Sequence, residues 1–415
     1  MNDSFEKLRA TYHEFPRTFW IIVTTTFIDR LGGSMLFPFF ALYITKRFHV
    51  GLSEVGVLFL IFSITGFIGS FSGGALTDRF GRRSMIIFSL IATSFSTAAM
   101  GLVNTFDGFL LIGFISGLFT DVGGPAQQAI IADLLPEEKR AQGFGILRVT
   151  FNLAVVFGPI IGGLIAAHSY LALFLLDAVI STICAIIIFF TVPETKPALQ
   201  EHEVPETFLQ TLAGYGHVLR NSMFMFFILA SMLSSFVYMN MNVTLGVFLR
   251  DSYGISEDKY AYILSINAAM VVAFQFWITR RIEKRSPMLM MAIGTFLYAI
   301  GFAMYGFVGI YGMFILAMVV ITIGEMIVSP VGQALVANFA PEQMRGRYNA
   351  IYGNLAWGLP FSVGPWLAGQ LVDNYNPNWL WYACGIVGVL STVGYLILGR
   401  FYKPVNAPQP EEVVI

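Results

Sequence analysis

The sequence predicts an all-α membrane protein in which twelve transmembrane helices form two pseudo-symmetric halves of six helices each. Three observations support this fold class: an apolar composition, twelve apolar segments of membrane-spanning length, and an internal repeat that relates the two halves. Hydrophobic residues make up 56% of the 415 residues and charged residues only 12%. A soluble domain carries about 25% charged residues, so this chain has too few charges to cover a water-exposed surface.

Each predicted span is long enough for a bilayer core, which takes about 20 apolar residues per helix. The first six predicted spans are residues 18–45, 52–77, 84–104, 108–134, 143–167 and 170–192. The second six are residues 220–249, 259–279, 288–308, 310–338, 347–372 and 378–400. The predicted organisation is a cytoplasmic N-terminal segment, 1–17, an N-terminal six-helix bundle, 18–192, a cytoplasmic linker, 193–217, a C-terminal six-helix bundle, 218–402, and a cytoplasmic tail, 403–415.

Basic residues predict the orientation of the spans. Eighteen of the 24 Lys and Arg residues lie at one set of span ends and four lie at the opposite ends. The remaining two, Arg30 and Arg148, fall within predicted spans. Because cytoplasmic ends are enriched in Lys and Arg, both termini are predicted to be cytoplasmic, which requires an even number of spans. No cleavage site precedes the first span, so we expect a retained helix, and the lack of a targeting signal suits a bacterial inner membrane.

An internal repeat relates the two sets of spans. Residues 125–140 align without a gap on residues 330–345 at a shift of 205, with seven of sixteen positions identical. The identities include Pro, Gln, Glu and Arg, which a chance similarity between apolar segments does not explain. Two six-helix halves related by an axis along the membrane normal form a transporter architecture.

The loop between spans two and three carries a specific pattern. Residues 73–83 read GGALTDRFGRR, in which Gly74 is expected to allow close helix approach and Gly81 to allow a tight turn. A basic loop that only fixes orientation is the alternative interpretation. The spacing matches the G-x-L-a-D-r-x-G-r-r signature, so the chain resembles the major facilitator superfamily over nearly its whole length. The resemblance implies that a latch holds the two halves in one conformation, with these candidate residues: Asp78, Arg79, Arg82, Arg83 and Asp133.

A second pattern lies in span five, where Gly158, Pro159, Gly162 and Gly163 occur together. Gly158 and Gly162 share one helix face and permit close helix contact, and Pro159 can kink the span. Ordinary small-residue packing would explain these features. The pattern also resembles the G-P-x-x-G-G antiporter signature of the 12-span drug:proton branch. That resemblance implies antiport, although the span-four Arg typical of the branch is absent.

Ionisable residues inside a membrane are costly, by about 2.5–3.5 kcal/mol on insertion scales, and are functional by default. Glu325 in span ten is the first proton-carrier candidate, because no basic residue lies near it in sequence. We expect its carboxyl group to stay protonated until water or a cation reaches it. An acid that only bonds a neighbouring helix is the alternative. Asp121 in span four, which aligns within one residue of Glu325 in the repeat, and Asp29 in span one are the other candidates.

Further polar residues in the spans are candidates for a substrate cavity. Arg30 is adjacent to Asp29, and the pair would either lock the fold or contact substrate. The complete set of cavity candidates is Arg30, Gln128, Asn152, Tyr238, Asn240, Asn242, Asn267 and Gln333.

Together, the patterns and the resemblance favour a secondary active transporter that exports lipophilic small molecules, cationic ones included, in exchange for protons by alternating access. The alternative is a proton-coupled or facilitative carrier of another solute, such as a sugar, a metabolite or a lipid. An enzyme or receptor is disfavoured, since the sequence shows no nucleophile–base pair, metal cluster or phosphate-binding loop. We expect a monomer in the lipid bilayer, with a small-molecule substrate and protons as ligands and with no cofactor, metal or nucleic acid.

Overall fold

A computed structural model describes residues 14–196, 215–341 and 344–402. All regular structure in these ranges is helical, with no β-strand, as the composition and the apolar segments predict. Eleven of the described helices are long and apolar enough to cross a membrane. Large apolar side chains cover their outer faces; Phe95, for example, is 74% exposed and Phe190 78% exposed. Contiguous apolar surface of this kind requires lipid around it.

The first part of the chain forms seven helices, α1 to α7. Span four is divided into two of them, because the helix is interrupted at Asp121 and Val122. Side chains cap two of the helix starts, since Thr105 accepts from the Gly108 amide and Ser169 accepts from the Ala172 amide. The helices are α1 Arg17–Phe48, α2 Leu52–Phe80, α3 Arg82–Leu102, α4 Phe106–Thr120, α5 Gly123–Leu134, α6 Glu137–Ala166 and α7 Tyr170–Thr191.

The second part begins with three successive helices where the sequence predicts a single span seven. A π-helix also occurs here, Tyr352–Gly358, between α14 and α15. The helices are α8 Ser222–Tyr238, α9 Asn240–Val243, α10 Leu245–Tyr253, α11 Glu257–Ile282, α12 Pro287–Phe307, α13 Tyr311–Phe339, α14 Arg345–Ile351, α15 Leu359–Asn374 and α16 Asn378–Phe401.

The predicted span over residues 347–372 is not one continuous α-helix. It consists of α14, the π-helix and α15 in succession. Pro360 lies in the first turn of α15 and has no amide hydrogen to donate to the carbonyl group four residues before it. Gly353 and Gly358 in the same segment have low helix propensity. The predicted span is therefore helical, with a π-helical segment between two α-helices.

The chain divides into two compact units. The first comprises Met1–His202 with Leu249–Ser265, and the second comprises Glu203–Phe248 with Ile266–Ile415. The segment Leu249–Ser265 thus packs in the first unit, although the sequence places it in the C-terminal bundle.

In the first unit, α1 packs against α6 and α7, α3 packs against α7, and α2 packs against α4. Polar contacts fix the Leu249–Ser265 segment within this unit. Lys46 Nζ lies 2.7 Å from Glu257 Oε1, and the Tyr170 hydroxyl donates to the same oxygen at 3.1 Å. Arg250 Nη1 donates to the Leu42 carbonyl at 3.1 Å. The end of α10 and the start of α11 are therefore part of one folded unit with α1 and α7.

In the second unit, α12 packs against α13 and α16, and α8 packs against α16. An aromatic cluster fills its interior. Trp381 is fully buried, its ring centroid lies 5.3 Å from that of Tyr305, and the Phe302 ring stacks 6.5 Å away. These buried rings hold α12 and α16 together and leave the faces of α8, α11 and α13 to form the polar site described below.

Candidate functional site

Glu325 lies on α13 and is held by two neutral hydrogen-bond donors. Its Oε1 accepts from the Tyr238 hydroxyl at 2.9 Å, and its Oε2 accepts from Asn267 Nδ2 at 2.7 Å. Asn267 Nδ2 also lies 3.0 Å from Thr322 Oγ1, one turn before Glu325 on α13. The structure therefore brings together three residues that the sequence predicts separately: Glu325, Tyr238 and Asn267.

No cation accompanies this carboxyl group. Within the described ranges, no Lys or Arg lies at ion-pair distance from Glu325, and the groups that bond its carboxylate are the Tyr238 hydroxyl and the Asn267 amide. Glu325 is half-buried and does not point away from the bundle. An ionised carboxylate without a cation in an apolar medium is unfavourable, so the site can exchange a proton or a cation at this oxygen pair.

A proline near Glu325 explains a second contact between α11 and α13. Pro330 lies inside α13 and cannot donate to the Met326 carbonyl four residues earlier. Gln275 of α11 supplies the missing donor, with its Nε2 3.0 Å from that carbonyl oxygen. Asn267 and Gln275 therefore tie α11 to α13 on both sides of Glu325.

The first unit contains the other two proton-carrier candidates. Asp29 accepts a hydrogen bond from Ser181 Oγ at 2.8 Å. Asp121 lies at the interruption between α4 and α5, and its side chain lies against Gly66 of α2. The charge of Arg30 acts on Asp121, so Asp121 differs from Glu325 in having a basic residue nearby.

Arg30 packs its guanidinium over the Phe151 ring, 5.0 Å from the ring centroid. This contact positions an exposed cation on α1 next to a ring of α6. Asp29 and Arg30 have separate partners in the first unit, which fits the roughly 100° rotation between successive helical residues.

The remaining cavity candidates differ in how the structure uses them. Asn240 is buried and bonds the adjacent turns of the chain, since its Nδ2 donates to the Phe236 carbonyl at 2.8 Å and its Oδ1 accepts from Thr244 at 2.9 Å. It also lies in the wall of a cavity of ≈ 240 Å³ between α8, α15 and α16, and its contact with substrate stays a prediction. Three others are exposed or half-buried without a bond at the site: Asn152, Asn242 and Gln333.

Gln128 is exposed, and its place in a substrate cavity stays a prediction. The neighbouring Gln127 makes a hydrogen bond between α5 and α1, since its Nε2 donates to Thr26 Oγ1. Adjacent helical residues point about 100° apart, so the two glutamines face different surroundings.

At the α2–α3 turn, the expected charge contacts form a network. Arg82 Nε lies 3.1 Å from Asp133 Oδ2, and Thr195 Oγ1 donates to the same oxygen at 3.0 Å. Glu194 accepts the Arg82 backbone amide at 2.7 Å, which places a negative charge at the N-terminus of α3. The predicted contact of Asp78 lies outside the described residues, since its side chain is not described.

The other two arginines of the turn lie along the same surface. The Arg83 guanidinium covers the Phe189 ring at 5.0 Å and donates to the Phe189 carbonyl. The Arg79 guanidinium lies 5.4 Å from the Phe80 ring centroid. The backbone carbonyl of Arg79 accepts a hydrogen bond from Lys196 Nζ at 3.0 Å.

The glycines of this turn confirm one expectation and correct another. Gly81 has φ +96°, a conformation that L side chains rarely adopt, and a side chain there would meet the Glu194 carboxylate. A side chain at Gly74 would meet nothing within 4 Å, so the predicted close approach is not at this residue. It occurs at Gly73, where a Cβ would lie 2.6 Å from the Val122 carbonyl oxygen.

The small residues of span five pack against α1. A Cβ at Gly158 would lie 2.7 Å from the Ser34 carbonyl carbon, and one at Gly162 would lie 2.8 Å from the Met35 carbonyl carbon. A side chain at Gly163 would meet Ala261. Pro159 lies inside α6 between these contacts. The pattern therefore provides close backbone contact between α6 and α1, as its spacing predicts.

Two features near Glu325 were missed by sequence reasoning. The first is a row of hydroxyl groups on α8, at Ser231, Ser234, Ser235 and Tyr238, whose i, i+3, i+4, i+7 spacing places them on one helix face. The second is the π-helix, a conformation that is often found at functional sites. The spacing of the serines was visible in the sequence, whereas the π-helix had only its glycines and Pro360 as a signal.

A family model for the Major Facilitator Superfamily matches residues 22–365, and it matches again over residues 227–414. The chain belongs to the major facilitator superfamily. It is a multi-pass membrane transporter of small molecules and not an enzyme.

The relatives of this chain include an antiporter and proteins named for multidrug resistance. A "Na(+), Li(+), K(+)/H(+) antiporter" of Planococcus maritimus is 27% identical over 402 residues, covering 89% of this chain and 92% of the relative. "Multidrug resistance protein 2" of Bacillus subtilis (strain 168) is 24% identical, covering 88% of this chain and 91% of the relative.

Among solved structures, a POT family transporter in complex with 5-aminolevulinic acid superposes with a TM-score of 0.75 at 16% identity, covering 93% of this chain and 96% of that chain. A nucleoside transporter superposes with the same TM-score of 0.75 at 14% identity, covering 92% and 100%. At these identities the likeness shows the major facilitator fold and nothing about the substrate.

Proposed function

We propose that this transporter exports lipophilic small molecules, cationic ones included, in exchange for protons, and that Glu325 carries the proton. The observation that supports this proposal is the environment of the carboxyl group, which has two neutral donors, Tyr238 and Asn267, and no basic partner in the described ranges. A carboxyl group held in this way binds a proton or a cation at the same oxygens, so the two ligands compete.

This competition provides the coupling. A cationic substrate near Glu325 stabilises the carboxylate, whereas a proton arriving from the opposite side neutralises it and releases the substrate. Alternating access exposes the site to each side in turn. Inward proton movement through a potential of 100 mV contributes about 2.3 kcal/mol per charge.

The relatives support exchange but name two kinds of substrate. The multidrug resistance relative favours lipophilic compounds, as does the antiporter-like pattern at Gly158 and Gly162. The Planococcus maritimus antiporter favours a second candidate function, the exchange of Na⁺, Li⁺ or K⁺ for protons. Oxygen ligands suit such ions, and Glu325, Tyr238 and Thr322 present oxygen atoms at one site. A carrier of another solute, such as a sugar, a metabolite or a lipid, remains the alternative.

We further propose that Asp121 and Asp29 are secondary proton sites in the first unit, with Arg30 as the cation that offsets their charge. The Arg82–Asp133 ion pair, together with Asp78, is proposed to form the conformational latch. The distribution of basic residues supports cytoplasmic termini and a bacterial inner membrane, and we propose that the transporter works there as a monomer.

The proposal is tested by reconstituting the purified protein in liposomes and measuring proton movement with an internal pH dye. Ethidium, Na⁺, K⁺, a sugar and an amino acid are added in turn. We expect ethidium to drive proton movement in the wild type and Glu325→Gln to reduce it by about 100-fold or more, since the variant cannot bind the proton.

The matched control is Glu283→Gln, the same chemical change at an exposed residue after α11. Its proton movement should equal that of the wild type. Substrate-driven proton movement that survives in Glu325→Gln would overturn the carrier assignment. Proton movement driven by Na⁺ or K⁺ alone would favour the second candidate function.

A further inference from the structure

A small internal cavity in the second unit lies against Tyr238, the residue that donates to Glu325. The space open to the centre of a water-sized sphere is ≈ 10 Å³. A site of about 10–15 Å³ on this measure holds one water molecule. Hydroxyl-bearing residues form most of its wall, and the principal ones are Ser231, Ser234, Ser235, Tyr238, Tyr298 and Tyr395.

Two of these hydroxyl groups belong to buried residues, have no protein partner, and are open to the cavity, since neither oxygen is among the fully enclosed unpartnered atoms of the described residues. Ser235 is 3% exposed and Tyr298 is 2% exposed. In the described part of the chain, neither side-chain hydroxyl makes a hydrogen bond, although both residues line the cavity. A buried hydroxyl without a partner is unfavourable, and an internal water molecule is the usual means of satisfying it.

Three other hydroxyl groups of the wall already have protein partners. Ser231 Oγ and the Tyr395 hydroxyl lie 2.8 Å apart, and Ser234 Oγ donates to the Ser231 carbonyl at 2.8 Å. Ser231 and Tyr395 lie toward the end of the unit where α8 begins and α16 ends. The cavity thus separates the Tyr238–Glu325 pair from a second pair of bonded hydroxyls.

We propose that this cavity binds one water molecule, which bridges Tyr238, Ser235 and Tyr298 and accepts the proton that Glu325 releases. The inference rests on the proposed role of Glu325 as the proton carrier. It adds a bound ligand, water, and two positioning residues, Ser235 and Tyr298, that hold the water beside Tyr238.

Each transfer step in this arrangement conserves protons. The protonated Glu325 gives its hydrogen to the Tyr238 oxygen while Tyr238 gives its own hydrogen to the water, so one O–H bond breaks and one forms at Tyr238. The water then carries one additional proton and passes a hydrogen on through the Ser231 and Tyr395 hydroxyls, each of which accepts one and releases one, and a solvent water molecule at the end of the unit where α8 begins takes up the last proton. On the proposed orientation, this direction leads to the cytoplasm.

The groups around Glu325 permit this route. Tyr238 on α8 is the titratable residue that bonds its carboxyl group, Tyr298 on α12 lies beside Tyr238 with its ring centroid 5.5 Å away, and α11 presents the neutral amide of Asn267. Within the described ranges no basic side chain competes with the water for the proton. Tyr238 is the only hydroxyl that bonds the carboxyl group there, so exchange with the cavity passes through it.

The test is infrared difference spectroscopy of the reconstituted full chain after a pH step, recorded in H₂¹⁶O and in H₂¹⁸O. We expect an O–H stretching band in the wild type that shifts with ¹⁸O, which identifies a bound water, and a carboxyl C=O band from Glu325. Ser235→Val fills the cavity and removes the hydroxyl, so the ¹⁸O-sensitive band should disappear. Proton release after the pH step, followed with a pH dye, should slow about tenfold, the effect of losing one hydrogen-bond link.

Ser391→Ala is the matched control. Ser391 is fully buried in the same unit and donates to the Ala230 carbonyl at 2.8 Å, outside the cavity. Its band and release rate should equal those of the wild type. If Ser235→Val does not fold, Ser235→Ala and Tyr298→Phe provide the test. Each removes one hydroxyl with little change in volume and should weaken the ¹⁸O-sensitive band.

Two different results separate the failure of this inference from the failure of the proposed function. A carboxyl band that persists in Glu325→Gln would overturn the proton-carrier role. A carboxyl band that is lost in Glu325→Gln, combined with no ¹⁸O-sensitive band in the wild type or an unchanged one in the Ser235 and Tyr298 variants, would overturn the water site alone.

Discussion

The close contact between α6 and α1 predicts a specific loss of stability in Gly162→Ala. A Cβ at Gly162 would lie 2.8 Å from the carbonyl carbon and 2.9 Å from the Cα of Met35. These are backbone atoms of α1, so no change of rotamer can relieve the overlap. The two helices must move apart along the length of the contact.

A second glycine in the same helix separates the cost of the overlap from the gain in helix propensity. Gly145 also lies in α6, and a Cβ there would meet nothing within 4 Å. Gly-to-Ala gains about 1 kcal/mol of helix propensity at both positions, but only Gly162→Ala adds an overlap, which costs about 1–3 kcal/mol. The free energy of unfolding should therefore differ by about 1–3 kcal/mol between the two variants.

The measurement is thermal unfolding of both variants in detergent, followed by intrinsic fluorescence. A unit of 150–250 residues shifts by roughly 2–4 °C per kcal/mol, so the midpoint of Gly162→Ala should lie roughly 2–12 °C below that of Gly145→Ala. Equal midpoints, or a higher midpoint for Gly162→Ala, would refute the argument that this glycine is required by helix contact.

Two further predictions concern polar contacts. Gln275→Leu leaves the Met326 carbonyl without the donor that replaces the missing Pro330 amide, so the free energy of unfolding should fall by about 1–3 kcal/mol. Gln275→Glu cannot donate to this carbonyl when ionised, so it should not restore the lost stability. Wild-type stability in Gln275→Leu would contradict this role. For the Arg82–Asp133 ion pair, a double-mutant cycle with Arg82→Ala and Asp133→Ala should give a coupling energy of about 1 kcal/mol that falls at high salt, and strictly additive losses would show that the pair makes no net contribution.

The sequence predicts the depth of residues in the membrane more securely than their direction. Glu325 stands out because an acid in an apolar span is unusual. Its partners Tyr238 and Asn267 stand out because they are polar residues in apolar spans. The sequence does not contain the rotation of each helix about its axis. This is why it points to Gly74, whereas the close helix contact is made by the neighbouring Gly73.

Local departures from regular helix were the least predictable part of the fold. The segment from Tyr352 to Gly358 has the apolar character of a span, and hydropathy alone cannot distinguish a π-helix from an α-helix. Asn240 is a cavity candidate in sequence, and in the structure its amide also bonds the carbonyl of Phe236 near the end of α8. In both cases the backbone geometry, which composition does not encode, decides the role of the residue.

Glu194 shows a different limit. In sequence it is one of several acids after span six, and nothing distinguishes it from a solvated linker residue. In the structure its carboxylate accepts the Arg82 amide at the start of α3, 112 positions away along the chain. A contact of this kind depends on tertiary packing, and a single sequence gives no signal for it.

The placement of Leu249–Ser265 in the first unit determines how the chain would behave if it were cut. A break between residues 197 and 214 would yield two polypeptides, neither of which contains a whole first unit. The shorter N-terminal piece would expose Lys46 and the Leu42 carbonyl, whose partners, Glu257 and Arg250, belong to the other piece. Co-expressed fragments would therefore form the first unit together, because the C-terminal fragment supplies Leu249–Ser265, and the first unit would not form from either fragment alone.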